Sequence, residues 1–207
     1  THELKTPLTS IQLALQTLKK PNLKTEDQAD LIAKALGANQ RLSSLIDNII
    51  NASRLESNDF TPRREIFPLK TFLQNKTAEL TASHEQATIK LNCEVDIIHA
   101  DAYMLETIFN NLLENAIKYS GENPKMEIIV KQNEKFIEII VSDQGTGMTT
   151  EEKQQIFKKF YRVGNEISRS QKGSGLGLFI TSEFVQLHKG RIKCENNKPA
   201  GTKFIIE

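Results

Sequence analysis

The first third of the chain alternates apolar and polar positions in the way that packed helices do. Apolar residues recur there at spacings of four and three along two stretches, which are separated by Pro21 and Asn22. The first stretch carries Leu4, Leu8, Ile11, Leu15 and Leu18, and the second carries Leu31, Ala35, Ala38, Leu42, Leu45, Ile49 and Ala52. This spacing is typical of helices that lie side by side in a coiled coil or bundle. The pattern therefore predicts a helical hairpin.

The apolar stripe of the second helix is wider than one partner helix can bury. Ile32, Ile46 and Ile50 extend it beyond a two-helix contact, which suits a four-helix core. We therefore expect two hairpins to associate as a homodimer. In the alternative, both helices pack on the rest of the same chain.

Local signals mark where the second helix starts and where the hairpin ends. Thr25 followed by Gln28 predicts a capping box with Thr25 as the N-cap. Helical periodicity fades after Leu55, and the polar stretch that follows contains Pro62. We predict a hairpin domain over residues 1–57, a linker over 58–64 and a second domain over 65–207.

The second domain alternates between helical and strand-like patterns. Helices are predicted over residues 68–83, 101–119 and 175–188, and strands over 88–95, 125–131, 135–142, 191–195 and 202–207. Short turns at Asn133-Glu134 and around Pro199 each join two strands. These hairpins favour a mixed or antiparallel sheet with helices on one face over a doubly wound Rossmann sheet. The predicted fold class is α+β, a helical hairpin followed by an α/β sandwich.

Composition and charge narrow the classes of function. Hydrophobic residues make up 38% of the 207 residues and charged residues 26%, which allows a core and argues against disorder. A net charge of +1 gives no sign of charge-driven binding to nucleic acid or to an anionic membrane. No apolar run is long enough to cross a bilayer. Because Cys93 and Cys194 form no disulfide framework, we expect buried thiols in a reducing compartment and a soluble, cytosolic chain.

Two glycine-rich turns favour a phosphate site in the second domain. Glycines allow a ligand to approach the backbone closely, and a helix N-terminus offers free amide donors to phosphate. Neither turn has the spacing of a Walker motif or of GxGxxG, and either alone could be an ordinary tight turn. The first, after a strand, is Asp143-Gln144-Gly145-Thr146-Gly147, and the second, opening a helix, is Gly173-Ser174-Gly175-Leu176-Gly177-Leu178.

A pair of asparagines lies on the long helix predicted over residues 101–119. Asn111 and Asn115 are four residues apart and so share a face, and Lys118 and Tyr119 follow one turn later. An amide oxygen suits Mg²⁺, which keeps water and phosphate oxygens as its other ligands. Lys118 could meet a phosphate as a point charge. The alternative is a solvated polar face without a ligand.

A histidine with a neighbouring carboxylate begins the first helix. Because Thr6 stands where a second histidine would be needed, the zinc motif HExxH is excluded. A neutral imidazole such as that of His2 can act as a nucleophile, and Glu3 could hydrogen-bond it or take its proton. Pro7 is expected to bend the helix just past His2. The alternative is a surface histidine on a bundle, which is our interpretation of His84, His99 and His188.

Together these stretches resemble the motifs of bacterial sensor histidine kinases. Five or six motifs occur in the family's order over almost the whole chain, which is hard to obtain by chance. Residues 1–9 are similar to the H box, 111–120 to the N box, 143–148 to the first glycine box, 156–162 to the F box, 173–178 to the second glycine box, and 201–204 to the closing GTxF strand.

The resemblance implies a dimerisation and histidine phosphotransfer hairpin followed by an ATP-binding sandwich of the Bergerat type. His2 would accept the γ-phosphoryl group of ATP, with Glu3 as its acid/base partner, and pass it to an aspartate of a response regulator. Thr6 matches the position that orients water in members that are also regulator phosphatases. The resemblance further implies that the parent protein is membrane-anchored, in a bacterial inner membrane, and that this chain is its cytoplasmic core.

The resemblance also implies roles for the nucleotide-site residues. Asn115 would hold Mg²⁺, Asn111 would support the phosphate side, and the glycine boxes would wrap the nucleotide. Residues 163–172 would form a lid, and Ser174 replaces a common threonine but keeps its hydroxyl. The remaining contacts would come from Lys118 and Tyr119 to the nucleotide, Asp143 with Thr202 behind it to the adenine amine, and Arg162 to the γ-phosphate.

Two other functions use some of the same residues. An ATP-driven clamp shares the pocket motifs but has no use for a His-Glu hairpin, and it would release phosphate without a phosphoenzyme. A dimeric scaffold with an inactive nucleotide fold would be expected to lack Asn115, Asp143 or the glycines, and all of them are present.

Overall fold

Two long antiparallel helices form the hairpin. The computed structural model describes residues 2–57, 59–84, 86–163 and 173–207, and only the backbone of His2. Helix α1 (His2–Leu18) contains Pro7 and packs against α2 (Thr25–Glu56). The predicted capping box at Thr25 is wrong, because Thr25 is itself the first helical residue. The N-cap is Lys24, which makes no side-chain cap bond, and the Gln28 side chain donates to the Leu23 carbonyl instead.

The hairpin leaves much of its apolar surface uncovered in the single chain. Eight leucines and isoleucines of the two helices remain between 44% and 60% exposed, and all but Leu13 belong to or flank the predicted stripes. They are Leu8, Leu13, Leu15, Ile32, Leu36, Ile46, Ile49 and Ile50. Burial of such side chains in a partner contributes roughly 1.5–3 kcal/mol each when complete. The rest of the chain leaves these eight side chains exposed, although Ala38 and Ala52 of the predicted stripe are buried within it.

The second domain is a mixed five-stranded sheet with helices on one face. Its strands are ordered β2-β4-β5-β7-β6; β2 and β4 run parallel, and every other neighbouring pair is antiparallel. The predicted mixed sheet and α+β class are confirmed. The elements are β1 (Glu65–Phe67), α3 (Leu69–Ser83), β2 (Thr88–Cys93), β3 (Ile98–Ala100), α4 (Ala102–Tyr119), β4 (Lys125–Gln132), β5 (Ile137–Asp143), α5 (Thr150–Gln155), α6 (Gly177–Leu187), β6 (Ile192–Asn196) and β7 (Thr202–Ile206).

Helix α4 positions one wall of the site. On its apolar face, Ile108, Phe109 and Leu112 are each at most 2% exposed and pack in the core with strand residues such as Val141. Asp101 caps its start, since one carboxylate oxygen accepts from the Met104 amide at 3.0 Å. Because the core fixes the apolar face, the polar residues of α4 are held at the edge of the sandwich.

Three short elements were not predicted. Strands β1 and β3 pair as a separate two-stranded antiparallel sheet of three residues each. Helix α5 has six residues and begins with a capping box between Thr149 and Glu152. A strand of three residues or a helix of six is too short for its apolar residues to repeat, so the hydrophobic pattern gives no signal for these elements.

The end of α2 packs directly on the second domain. Asn51 is 2% exposed, its Nδ2 donates to the Tyr103 hydroxyl at 2.8 Å, and that hydroxyl donates back to Asn51 Oδ1 at 3.0 Å. Phe60 packs edge-on against Phe184, with ring centroids 5.1 Å apart. Glu56 forms an ion pair with Lys159 at the same junction. Polar and aromatic contacts thus hold the hairpin against the sandwich.

Candidate functional site

One cavity of about 680 Å³ lies between the hairpin and the second domain. Its volume falls in the range of small-molecule sites in proteins. Both helices of the hairpin and both glycine-rich turns contribute to its walls. Of the residues predicted for the site, those that line it are Glu3, Thr6, Asn111, Asn115, Lys118, Tyr119, Asp143, Gly147, Arg162, Gly173, Ser174, Gly175, Gly177, Leu178 and Thr202.

Asp143 presents one carboxylate oxygen to this cavity. Its Oδ1 accepts hydrogen bonds from the amides of Gly145 at 2.8 Å and Thr202 at 3.1 Å. No described residue donates to Oδ2, although the side chain is only 5% exposed. This oxygen is therefore an acceptor that a ligand in the cavity can reach. The arrangement suits an exocyclic amine of a purine.

The environment of Asp143 also changes its titration. Burial raises the pKa of this carboxyl above its ordinary value of 3.8, while the two backbone amide donors oppose that shift. Desolvation dominates because the charged form loses water that two hydrogen bonds only partly replace.

The second glycine-rich turn follows a backbone path that only glycine takes easily. Gly175 has a φ of +68°, and an added Cβ would lie 2.8 Å from the Phe160 carbonyl carbon and from the Tyr161 oxygen. The Phe160 amide donates to the Gly175 carbonyl at 3.0 Å. The turn is therefore packed against the F-box segment, and it leads into α6 at Gly177.

The two asparagines of α4 differ in their contacts. Asn111 Nδ2 donates to the Gly177 carbonyl at 3.0 Å and to Thr181 Oγ1 at 3.3 Å, so it ties α4 to the start of α6. Asn115 lines the cavity, and its amide bonds to none of the described residues. Asn111 thus joins α4 to the start of α6, whereas the Asn115 amide lines the cavity without a bond to a described residue.

Lys118 stands at the same wall as Asn115. Its ammonium nitrogen lies 4.8 Å from the centroid of the Tyr119 ring, within cation–π range. A Cβ added at Gly173 would come within 3.0 Å of that nitrogen. The cation therefore reaches the second glycine-rich turn, where a phosphate is expected.

The hairpin meets the F box through an ion pair. Arg162 Nη1 lies 3.3 Å from Glu3 Oε1, and both groups are partly buried at the cavity. Glu3 follows His2 directly, so the backbone of His2 begins α1 beside this contact. The predicted ligand of the γ-phosphate and the predicted acid/base partner of His2 are thus already neighbours.

Some predicted residues are placed differently or lie outside the description. Gly145 and Leu176 are absent from the cavity wall, though both adjoin it: Gly145 donates to Asp143, and Leu176 donates its amide to Ser174 Oγ at 3.3 Å. Thr202 contributes a backbone amide. The His2 side chain and, apart from Val163, the predicted lid over residues 163–172 lie outside the described residues.

Residues of α2 complete the wall and were not predicted. Their spacing of four, three and four was the available signal, because residues so spaced share one helix face. They are Gly37, Arg41, Ser44 and Asn48, and Gln40 and Leu45 of the same helix line the cavity beside them.

The donor set fits a nucleotide with a hard cation. In the described parts of the chain, no three His, Cys, Asp or Glu side chains cluster as metal ligands. A bound Mg²⁺ would therefore rely on Asn115 together with phosphate and water oxygens, which matches its preference for few protein ligands. No helix within the described ranges combines the length and hydropathy needed to cross a bilayer.

Two family models match the chain and leave residues 59–99 between them unmatched. Residues 100–207 match the model described as histidine kinase-, DNA gyrase B- and HSP90-like ATPase. Residues 1–58 match the His Kinase A phospho-acceptor domain. The phosphoacceptor model falls on the hairpin and the ATPase model on most of the sandwich.

Individual proteins show the same likeness. Sensor protein CiaH of Streptococcus pneumoniae is 31% identical over 211 residues, which cover 100% of this chain and 47% of CiaH. The chain thus spans about half the length of that curated relative. The histidine kinase AdeS of Acinetobacter baumannii has a similar fold, with a TM-score of 0.72 over 100% of this chain and 96% of that chain at 24% identity. The histidine kinase ThkA, solved in complex with the response regulator protein TrrA, gives a TM-score of 0.66 at 23% identity, over 99% of this chain and 58% of that chain.

Proposed function

We infer the function from one premise: the chain belongs to the histidine kinase family, with a His Kinase A phospho-acceptor domain and a histidine kinase-like ATPase domain. We propose that it transfers the γ-phosphoryl group of ATP to His2 and then to an aspartate of a response regulator. One observation carries this proposal. A single cavity is lined both by Glu3, the neighbour of His2, and by the adenine-site candidate Asp143.

The first step is a displacement at phosphorus. A lone pair on an imidazole nitrogen of His2 forms the new N–P bond, and the bond between the γ-phosphorus and the β,γ-bridging oxygen breaks. ADP leaves with that electron pair, and the proton on the other ring nitrogen passes to Glu3 or water. Because Glu3 is paired with Arg162, engagement of Arg162 by the γ-phosphate would release Glu3 for this task.

The nucleotide would be held from both ends. Asp143 Oδ2 accepts from the adenine amine, while Lys118 and the amides around Gly175 meet the phosphates. Asn115 would hold Mg²⁺, which supplies charge neutralisation on the phosphate oxygens when bound. Asn111 keeps the start of α6 against α4, so the glycine-rich turn is positioned before the ligand arrives.

The active form would be a homodimer. The exposed leucines and isoleucines of α1 and α2 support it, since a second hairpin would cover them in a four-helix core. A response regulator would dock on that bundle, and ThkA in complex with TrrA supports this class of partner. Thr6, at the cavity, is the residue we assign to phosphatase activity towards the regulator. The incomplete coverage of CiaH supports a longer parent protein, which we propose to be a membrane-anchored bacterial sensor.

The test is phosphorylation with γ-labelled ATP and Mg²⁺. We expect acid-labile label on the chain, located at His2 by mass spectrometry, and loss of that label in His2→Gln. His99→Gln is the matched control, because His99 is exposed on β3 away from the cavity and should keep full labelling.

Three outcomes would overturn the proposal or part of it. Label that persists in His2→Gln would overturn the nucleophile. Steady phosphate release without a phosphoenzyme would instead favour an ATP-driven clamp. Absence of nucleotide binding by the folded dimer would favour a scaffold.

A further inference from the structure

The face of α2 that lines the cavity carries a polar stripe that the family motifs do not include. Gly37, Arg41, Ser44 and Asn48 follow one another at spacings of four, three and four, and all line the cavity. Residues so spaced share one face of a helix. Among residues with described side chains, Arg41 is the only cation that the hairpin brings to this cavity.

Arg41 stands at the height of His2 in the hairpin. His2 lies 16 residues before the end of α1, and Arg41 lies 16 residues after the start of α2. Each residue of an α-helix rises about 1.5 Å along the axis, so equal counts from the connection give equal heights in antiparallel helices. The guanidinium therefore projects from the level of the phosphoacceptor backbone.

The side of α2 opposite Arg41 carries the exposed Ile32 and Ile50, whereas Leu45 of the predicted stripe lines the cavity one turn after Arg41. Ile32 and Ile50 are 18 residues apart, which is about five turns and places them on one face. Arg41 lies midway between them in sequence, about two and a half turns from each and thus on the other side of the helix. A partner hairpin packed on the Ile32 and Ile50 side leaves Arg41 facing the cavity.

The guanidinium of Arg41 is not taken up by an ion pair with a described residue, so it can bind a ligand in the cavity. It is exposed and forms no ion pair with any described residue. Arg162, by contrast, is engaged with Glu3 on α1. A guanidinium presents several N–H donors in a plane, which matches the oxygens of a phosphoryl group.

We propose that Arg41 binds the phosphoryl group while it passes from ATP to His2. The inference rests on the proposed kinase function and adds a catalytic residue to it. Arg41 would hydrogen-bond the phosphoryl oxygens as the N–P bond forms, and it would stay protonated throughout, so the proton balance of the step is unchanged. Because it belongs to the hairpin, its contact is made when the phosphoryl group approaches His2 and not when the nucleotide first binds.

The experiment compares Arg41→Gln and Arg41→Lys in the full 207-residue chain. Lys34→Gln is the control, since Lys34 is a cation seven residues earlier on the same face, pairs with Asp30 and does not line the cavity. Initial rates of His2 labelling are measured over a range of ATP concentrations, and ATP affinity is measured separately by calorimetry. We expect Arg41→Gln to lower the maximal rate of His2 labelling about 10- to 100-fold and to leave the ATP affinity unchanged within about twofold. Arg41→Lys should recover part of the lost rate, and Lys34→Gln should match the wild type.

A wild-type rate in folded Arg41→Gln would overturn the inference, as would a loss of ATP affinity equal to the loss of rate. Should Arg41→Gln not fold, Arg41→Ala with added methylguanidinium decides: recovery of rate supports the role, and no recovery in a folded variant overturns it. A wild-type chain that never labels His2 would overturn the proposed kinase function instead, so the two failures are distinguishable.

Discussion

At the scale of the residue, Asp143 shows how a fold reserves one atom for a ligand. The protein satisfies Oδ1 with two backbone amides and leaves Oδ2 to the cavity. Since both donors are backbone amides, of Gly145 in the first glycine-rich turn and of Thr202 at the start of β7, the carboxylate is fixed without a second side chain. An acceptor held in this way selects a donor on the ligand.

Asp143→Asn therefore separates ligand binding from folding. An amide would keep its oxygen on the Gly145 and Thr202 amides and present its NH₂ group to the adenine amine, so two donors would meet. We expect ATP to bind about 10- to 100-fold more weakly, by calorimetry, because a buried hydrogen bond becomes a donor–donor contact. Unchanged affinity would remove Asp143 from the nucleotide site.

The stability of Asp143→Asn relative to the wild type should also depend on pH, which tests the pKa shift of Asp143 in the folded chain. Burial raises the folded-state pKa of Asp143 above its ordinary 3.8, so the folded chain holds the proton more tightly than the unfolded chain. The stability this provides is present below the unfolded pKa and is lost as the pH rises through the folded pKa. The stability of Asp143→Asn relative to the wild type, from urea unfolding, should thus increase between about pH 3 and pH 7. A decrease would contradict the assigned direction.

At the scale of the element, two helix starts that look alike in sequence differ in the structure. At α5 the Thr149 side chain accepts from the Glu152 amide and the Glu152 side chain accepts from the Thr149 amide. At α2, Thr25 lies inside the helix and caps nothing. A Thr followed by a Glu or Gln three residues later thus marks the region of a helix start without locating the cap.

Removing the hydroxyls should separate the two cases. We expect Thr149→Ala to weaken the first turn of α5 by about 1 kcal/mol, which speeds amide hydrogen exchange at Glu152 roughly fivefold. Thr25→Ala is the matched control and should leave exchange in the first turn of α2 nearly unchanged. Equal acceleration at both sites would show that the hydroxyl bond at Thr149 does not stabilise α5.

An element could be predicted from the sequence when it is long enough for its apolar residues to repeat at the spacing of a helix or a strand. Helix α4 and strands β4 and β5 were predicted because their buried residues repeat over several turns or alternations. Strand β1 was not, since Glu65–Phe67 is only three residues long and Ile66 is exposed. The glycine-rich turns were found because close approach and positive φ demand glycine, as at Gly175.

At the scale of the whole molecule, the contacts that bring the two domains together left no trace in sequence periodicity. Glu3 and Arg162 are 159 residues apart, and Asn51 and Tyr103 are 52 apart. Each is a single polar pair, and nothing within a window of one helix reveals its partner. The motif residues of the pocket could be predicted, whereas the hairpin's share of its wall depends on this docking.

The proposed dimer can be tested by charging its interface. Ile46 is 44% exposed on the apolar side of α2, and a glutamate there would bury an unpaired charge in a four-helix core. We expect Ile46→Glu to shift the chain from dimer to monomer in sedimentation at micromolar concentration.

Ala33→Glu is the control for this change. Ala33 is exposed and lies 13 residues before Ile46, about 140° around the helix from it. It should leave the dimer intact. A dimer that persists in folded Ile46→Glu would mean that the apolar stripe of α2 is not the interface.

The reciprocal bond between Asn51 and Tyr103 has a consequence for building chimeric proteins from this chain. A chimera joined after Glu56, at the end of α2, would take Asn51 and Tyr103 from different parents. The buried Asn51 side chain, in a residue only 2% exposed, would then pack against a helix from the other parent that has no hydroxyl at the Tyr103 position. Transplanting the two side chains as a unit preserves the fit across the junction.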